Sequence, residues 1–165
     1  MYFLRCFAFL FACGVTSFLL GRFVPHKWIR EDRFPFVTFG FEGDGDFYDH
    51  FGIRHWQKRV PDMSRLFPQL IPKKVLEGDM TEKLPILINE TCIAELTHVL
   101  LAMVALLCLN IWRGLGGVIV TVLFEIGNLP YILIQRYNRP RLKKLYRALC
   151  LREQRESEER QAIEG

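Results

Sequence analysis

Apolar residues fall along this chain in long blocks, not in the 3.6-residue stripes of a soluble helix or the alternation of a half-buried strand. Three blocks stand out: Tyr2 to Phe23, interrupted by Arg5 and carrying Arg22 at its very end; Ile93 to Trp112, with Glu95 and His98 inside it; and Leu115 to Ile134, with Glu125 and Asn128 inside it. Each reaches the ~20 mostly apolar residues that a transmembrane helix needs. The pattern predicts an all-α membrane protein with three transmembrane helices, a cytoplasmic interfacial segment and a charged C-terminal helix. The chain divides into an N-terminal anchor (1–23), an interfacial segment (24–92), a helical hairpin (93–134) and a basic, then mixed-charge tail (135–165).

Basic residues orient these spans. Arg22, Lys27, Arg30 and Arg33 follow the first, and Arg136, Arg139, Arg141, Lys143, Lys144 and Arg147 follow the third with no acid among them. Both flanks are expected in the cytoplasm, with the amino terminus outside. "RGLGG", residues 113–117, suits a tight turn between the second and third spans on the outer side. The sequon "NET" at Asn89 is then expected to be silent, because it lies inside. "LFAC", ending at Cys13, faintly resembles a lipoprotein cleavage box, but the apolar run continues to Phe23 and an uncleaved anchor is expected.

Composition narrows the function classes. Half the residues are hydrophobic, and the net charge of +4 is accounted for by the membrane flanks, so a nucleic-acid partner is not expected. The five cysteines form no CxxC pair, which argues against a zinc site or a disulfide framework. His50 and His55 with Asp46 and Asp49 could be drawn as a metal site, yet they match no ligand signature, and no metal is expected. Neither a glycine-rich nucleotide loop nor a GxSxG elbow is present.

The segment "GFEGDGDFYDHFGIRHWQKRVPD" (40–62) mixes glycines and acids with Phe47, Tyr48, Phe51 and Trp56, as an ordered interfacial element does. Residues 64–78 read as an amphipathic stretch lying on the membrane, interrupted by Pro68 and Pro72. The tail beyond residue 150 is charged all round and reads as a solvated helix.

The hairpin serves as a ruler. With its turn near residue 114 and equal helical rise on both sides, His98 falls at the depth of Leu129 or Pro130, beside Asn128, and Glu95 falls near Leu133. Glu95 and His98, three apart, share a helix face near the cytoplasmic surface. The cluster Gln135, Arg136, Tyr137, Asn138, Arg139 and Arg141 begins just outside and is expected to form the open rim of a pocket that, with Asn128 and Trp56, binds the acyl donor or the sugar. Acyl transfer to a hydroxyl needs a base, and histidine titrates in the right range. His98 is the candidate catalytic base and Glu95 its partner, while Asn128 or Arg136 could stabilise an oxyanion. The arginines could also grip the phosphates of a soluble acyl carrier. Against this stand simpler roles: solvation or a helix–helix bond for Glu95 and His98, structural pairing for Glu125, an interface anchor for Trp56, and topology plus anionic-lipid binding for the basic run.

Three stretches together, "HWQKRVPD" (55–62), "ETCIAELTHVL" (90–100) and "NLPYILIQRYNRPRL" (128–142), resemble the glycosyl-4,4'-diaponeurosporenoate acyltransferase family. The resemblance runs from about Arg22 to Arg147, and "QRYNRPRL" is its most specific piece. It implies a small multi-pass bacterial cell-membrane protein of staphyloxanthin-type carotenoid synthesis that places a fatty acyl chain on a sugar hydroxyl of a glycosylated carotenoid. No bound cofactor is implied, and acyl-CoA or acyl carrier protein is the expected donor. Carried over by position, it marks Trp56, Pro61, Glu95, His98, Asn128, Pro130, Gln135, Arg136, Tyr137, Asn138, Arg139, Pro140 and Arg141. The chain departs from the family pattern at Gln57 and in its Gly- and Asp-rich residues 43–46. Two rival classes stay open: another membrane lipid-modifying enzyme, such as an isoprenylcysteine-type methyltransferase, and a non-catalytic scaffold that binds lipid or a partner.

Overall fold

The computed structural model describes residues 1–25, 28–43, 45–60 and 79–164. Lys27, Asp44, Pro61 and the stretch 64–78 expected to lie on the membrane fall outside the described residues. Helices α1 (Tyr2–Gly21), α2 (Ile53–Trp56), α3 (Met80–Ala105), α4 (Cys108–Ile111) and α5 (Leu115–Glu164) carry the fold, joined by short 3₁₀ turns at Gly40–Glu42, Asp46–Phe51 and Gln57–Arg59. No strand forms among the described residues. Three helical stretches are long and apolar enough to cross a bilayer, as the block pattern predicts: Tyr2–Gly21, Met80–Ile111 and Leu115–Ile163.

Two of them outgrow the apolar blocks that revealed them. α3 begins at Met80, well before Ile93, and admits Pro85. A proline there forfeits one helical bond to the carbonyl four residues back. The 32 residues from Met80 to Ile111 measure about 48 Å, longer than a hydrocarbon core of about 30 Å. The expected charged tail is no separate helix. α5 runs unbroken for 50 residues through Pro130 and Pro140, and Glu153 near its end meets Thr81 at the start of α3, 2.5 Å away.

α3 and α5 form the antiparallel hairpin. Gly114 makes its turn at φ +103°, a conformation open to glycine and strained for other residues. Near the turn, Cys6 and Leu10 of α1 pack on Ala105 and Cys108, with Phe9, Ile111, Trp112, Val120 and Phe124 around them. At its other end α1 reaches Ile93 and Thr97, which flank Gly21. The hydroxyls of Thr97 and Thr121 are satisfied by carbonyls of their own helices, Ile93 O (2.8 Å) and Gly117 O (2.9 Å).

The segment before α3 is held against α5. Tyr48 and Ile53 are buried on Tyr137, with Trp56, Leu133 and Ile134 at the edges. Phe39, Phe41, Phe47 and Phe51 form a run of ring contacts with centroids 5.4–5.8 Å apart, and all four are exposed. Aromatic exposure of this kind suits the interfacial setting expected for the segment.

Candidate functional site

α5 is bordered on two sides by different chemistry, and its helical period decides which residue meets which. Asn128, Arg136 and Arg139 fall toward α3 and the 33–42 segment; Tyr137 and Arg141 turn toward residues 45–56; Tyr131, Gln135 and Asn138, spaced by four and three, share a third strip.

Arg136 and Arg139 of the first group build a buried ionic network. Arg136 uses all three of its nitrogens. Nε donates to Glu42 Oε1 (2.6 Å) and the Tyr48 hydroxyl (3.2 Å), Nη1 to Glu95 Oε1 (2.7 Å) and Pro35 O (3.3 Å), and Nη2 to Glu42 Oε2 (2.9 Å) and Val37 O (3.2 Å). Arg139, 2% exposed, donates to Glu95 Oε2, Thr91 Oγ1 (3.0 Å), Thr91 O (3.2 Å) and Phe36 O (2.8 Å). Tyr48 donates to Glu42, and so does the Phe39 amide at 2.7 Å. The guanidinium groups also lie over the rings of Phe39 and Phe36. Two carboxylates and two guanidiniums cancel in charge, which is what makes their burial tolerable.

Two members of this network outside the spans are shifted from their ordinary values. Burial works to raise the Glu42 carboxyl, but hydrogen bonds from Arg136, Tyr48 and the Phe39 amide outweigh it and hold the group below its ordinary value. Burial, and after it the bond to Glu42, pushes the Tyr48 phenol up to about 12.

These contacts correct three expectations. Arg136 and Arg139 are not an open rim facing substrate; internal carboxylates and carbonyls consume their donors. Tyr137 is core, 4% exposed. The expected His98–Glu95 pairing is not formed, because Glu95, although on the neighbouring turn, is taken by both arginines. Arg141 stacks 3.6 Å over the Tyr137 ring and pairs with Asp49 at 2.8 Å on the surface. Trp56 donates through Nε1 to Phe51 O at 3.0 Å.

His98 finds other partners. Its Nδ1 lies 2.7 Å from Asn128 Oδ1, and Asn128 Nδ2 donates to the His98 carbonyl oxygen at 2.8 Å. The Tyr131 ring stacks on the imidazole, with centroids 4.6 Å apart and planes 10° from parallel. The depth match of His98 and Asn128 read from the hairpin is therefore met. Gln135 and Asn138 are half-buried, and among the described residues their side-chain amides make no hydrogen bond. Glu125 leaves Oε1 buried and without a partner among the described residues. His50 Nδ1 sits 3.2 Å from Phe47 O, and no group of three His, Cys, Asp or Glu side chains among the described residues could hold a metal ion.

Sequence reasoning missed Glu42, Tyr48, Thr91 and Tyr131. Two arginines three apart on an inward helix face call for two carboxylates, and that demand was the available signal for a second acid besides Glu95.

Along the helix, His98 lies about 21 Å and Glu95 about 25 Å from Trp112 at the turn, against a hydrocarbon core of about 30 Å.

Residues 25–148 match a family described as glycosyl-4,4'-diaponeurosporenoate acyltransferase. A protein of that name from Staphylococcus aureus (strain N315) is 33% identical over 137 residues, covering 82% of this chain and 82% of the relative. One from Staphylococcus aureus (strain USA300) matches with the same identity and coverage. No solved structure matches the chain.

Proposed function

Because the chain belongs to the glycosyl-4,4'-diaponeurosporenoate acyltransferase family, we propose that it esterifies a sugar hydroxyl of that glycosylated carotenoid, or of a similar glycolipid, with a fatty acyl group. Of the reaction classes open at the level of sequence, methyl transfer and a scaffold role find no support in these relatives.

The observation that carries the mechanism is His98, clamped by Asn128 on a strip of the hairpin that the arginine network leaves free. His98 takes the proton of the sugar hydroxyl as its oxygen attacks the acyl thioester carbonyl. The tetrahedral oxyanion collapses, the carbon–sulfur bond breaks, and the departing thiolate recovers the proton from the imidazolium. Gln135 and Asn138, whose amides make no hydrogen bond among the described residues, bind the sugar hydroxyls. Trp56 anchors the docked segment at the interface, and Glu95 acts through the arginines as a support for that segment.

The acceptor's apolar chain stays in the bilayer and its sugar reaches the inner boundary. The donor, acyl-CoA or acyl carrier protein, arrives from water past the basic run Arg141 to Arg147, which also meets anionic lipid. On this reading the protein lies in the cell membrane with its carboxyl terminus in the cytoplasm. Gly21 lies beside Ile93 and Thr97, so both basic flanks leave the bundle at one end, as that orientation requires.

The test is His98→Ala in cells that make the glycosylated carotenoid. Mass analysis of lipid extracts is expected to show the acyl ester lost while the membrane level of the protein is unchanged. Ester formed at the wild-type rate removes His98 from the reaction.

A further inference from the structure

We propose that Asn128 is a positioning residue that fixes which nitrogen of His98 carries the proton, leaving Nε2 as the basic atom, and that Tyr131 holds the ring in plane. The catalytic half of this proposal rests on the acyl-transfer reading above.

The assignment follows from donor and acceptor identity. A main-chain carbonyl only accepts, so the atom of Asn128 that lies 2.8 Å from the His98 oxygen must be its NH₂ group. The other end of the amide, facing the ring at 2.7 Å, is then an oxygen and also only accepts. Its ring neighbour, Nδ1, must therefore carry the hydrogen. A neutral imidazole has one N–H, so Nε2 keeps its lone pair. Asn128 is 5% exposed, which keeps water from competing for either bond. The parallel Tyr131 ring covers one face of the imidazole and opposes rotation about its χ2.

An amide suits this place better than an acid. On α3, the carboxylate one turn from His98, Glu95, is bound by Arg136 and Arg139. A second carboxylate beside His98 would bring another charge into a span, whereas an amide selects the ring isomer with no charge to bury. The same division of labour, an amide orienting a catalytic imidazole, occurs in the Cys-His-Asn proteases.

The experiment uses the full chain in phospholipid nanodiscs, labelled with ¹⁵N-histidine. Signals of His98 are identified among the four histidines by their loss in His98→Gln. The expected spectrum shows Nδ1 protonated and Nε2 bare at neutral pH. Asn128→Leu is expected to shift the ring toward Nε2–H and to lower kcat about 100-fold, the scale of lost general-base catalysis, with acceptor KM unchanged. Asn128→Asp, which can still accept from Nδ1–H, is expected to restore the isomer and most of kcat. A wild-type ring protonated on Nε2 overturns the proposal, as does an Asn128→Leu variant with unchanged isomer and kcat. If Asn128→Leu does not accumulate, the wild-type spectrum decides by itself. Full ester formation by His98→Ala would overturn the functional reading instead, with the ring isomer still standing.

Discussion

Replacing Glu42 by alanine takes away the buried carboxylate that, beside the surface pair Asp49–Arg141, joins the 33–60 segment to α5. Its side chain is 3% exposed and accepts from Arg136 twice, from Tyr48 and from the Phe39 amide. Removing one partner of a buried ion pair costs about 3–5 kcal/mol, chiefly because the other charge is left unpaired. Arg136 keeps Glu95 at 2.7 Å and the carbonyls of Pro35 and Val37, so the low end, about 3 kcal/mol, applies. At 1.36 kcal/mol per decade, the undocked population of the segment rises about 100-fold. Trypsin at low concentration reads this population through cleavage after Arg54, Lys58 and Arg59, provided docking is fast relative to cutting. Glu42→Met with Arg136→Met removes both charges and leaves Glu95 to Arg139; this double variant is expected to be cut at least tenfold more slowly than Glu42→Ala. Cleavage of Glu42→Ala within threefold of wild type would show that the network does not hold the segment, and the reasoning would fail.

Docking should also depend on pH at both extremes. Glu42 titrates in the folded protein below the ordinary 4.5, so its contribution is present above about pH 4.5 and is lost as pH falls through the depressed value. Tyr48, raised from 10.0 to about 12, acts in the opposite sense: its contribution is complete below pH 10 and fades between pH 10 and 12. Pulse hydrogen exchange of residues 33–59 after equilibration at each pH checks both, and flat protection from pH 3 to 6 would contradict the acid limb. Gly45→Ala places a Cβ 2.8 Å from Arg141 Nη1 and 3.1 Å from Tyr137 O, at φ +92°. Its expected cost is about 1–3 kcal/mol, seen as faster exchange in the same residues; unchanged exchange would refute it. Glu125→Leu removes a carboxyl whose Oε1 has no partner among the described residues, and a lone acid at the centre of a span costs about 2.5–3.5 kcal/mol. Higher yield and thermal stability with unaltered ester formation are expected, and lost ester formation would give Glu125 a role in the reaction.

The sequence made the spans legible because apolar blocks of bilayer length have few other uses. The turn at "RGLGG" then set the depth register, and the match of His98 with Asn128 followed from helical rise alone. Helix ends were less legible. Residues 80–92 carry Pro85 and several polar side chains, so hydropathy places the start of the second span at Ile93 although the backbone is already helical at Met80. The ionic network was hidden for a different reason. Glu42 lies 94 positions from Arg136 in a glycine-rich stretch, and no local spacing ties the two together. Charge counting on the 135–141 cluster consequently suggested an exposed collar, where burial and pairing turned most of it inward.

α5 continues as one unbroken helix from Leu115 to Glu164 through both of its prolines. From Arg136 to its last residue the helix extends about 42 Å, and a tilt of about 20°, ordinary for a membrane helix, carries that tip about 14 Å sideways over the bilayer. A thinner membrane, by leaning the hairpin, would swing the charged end toward different neighbours without altering a single contact at His98. Lipid composition thereby becomes an input to where this protein reaches.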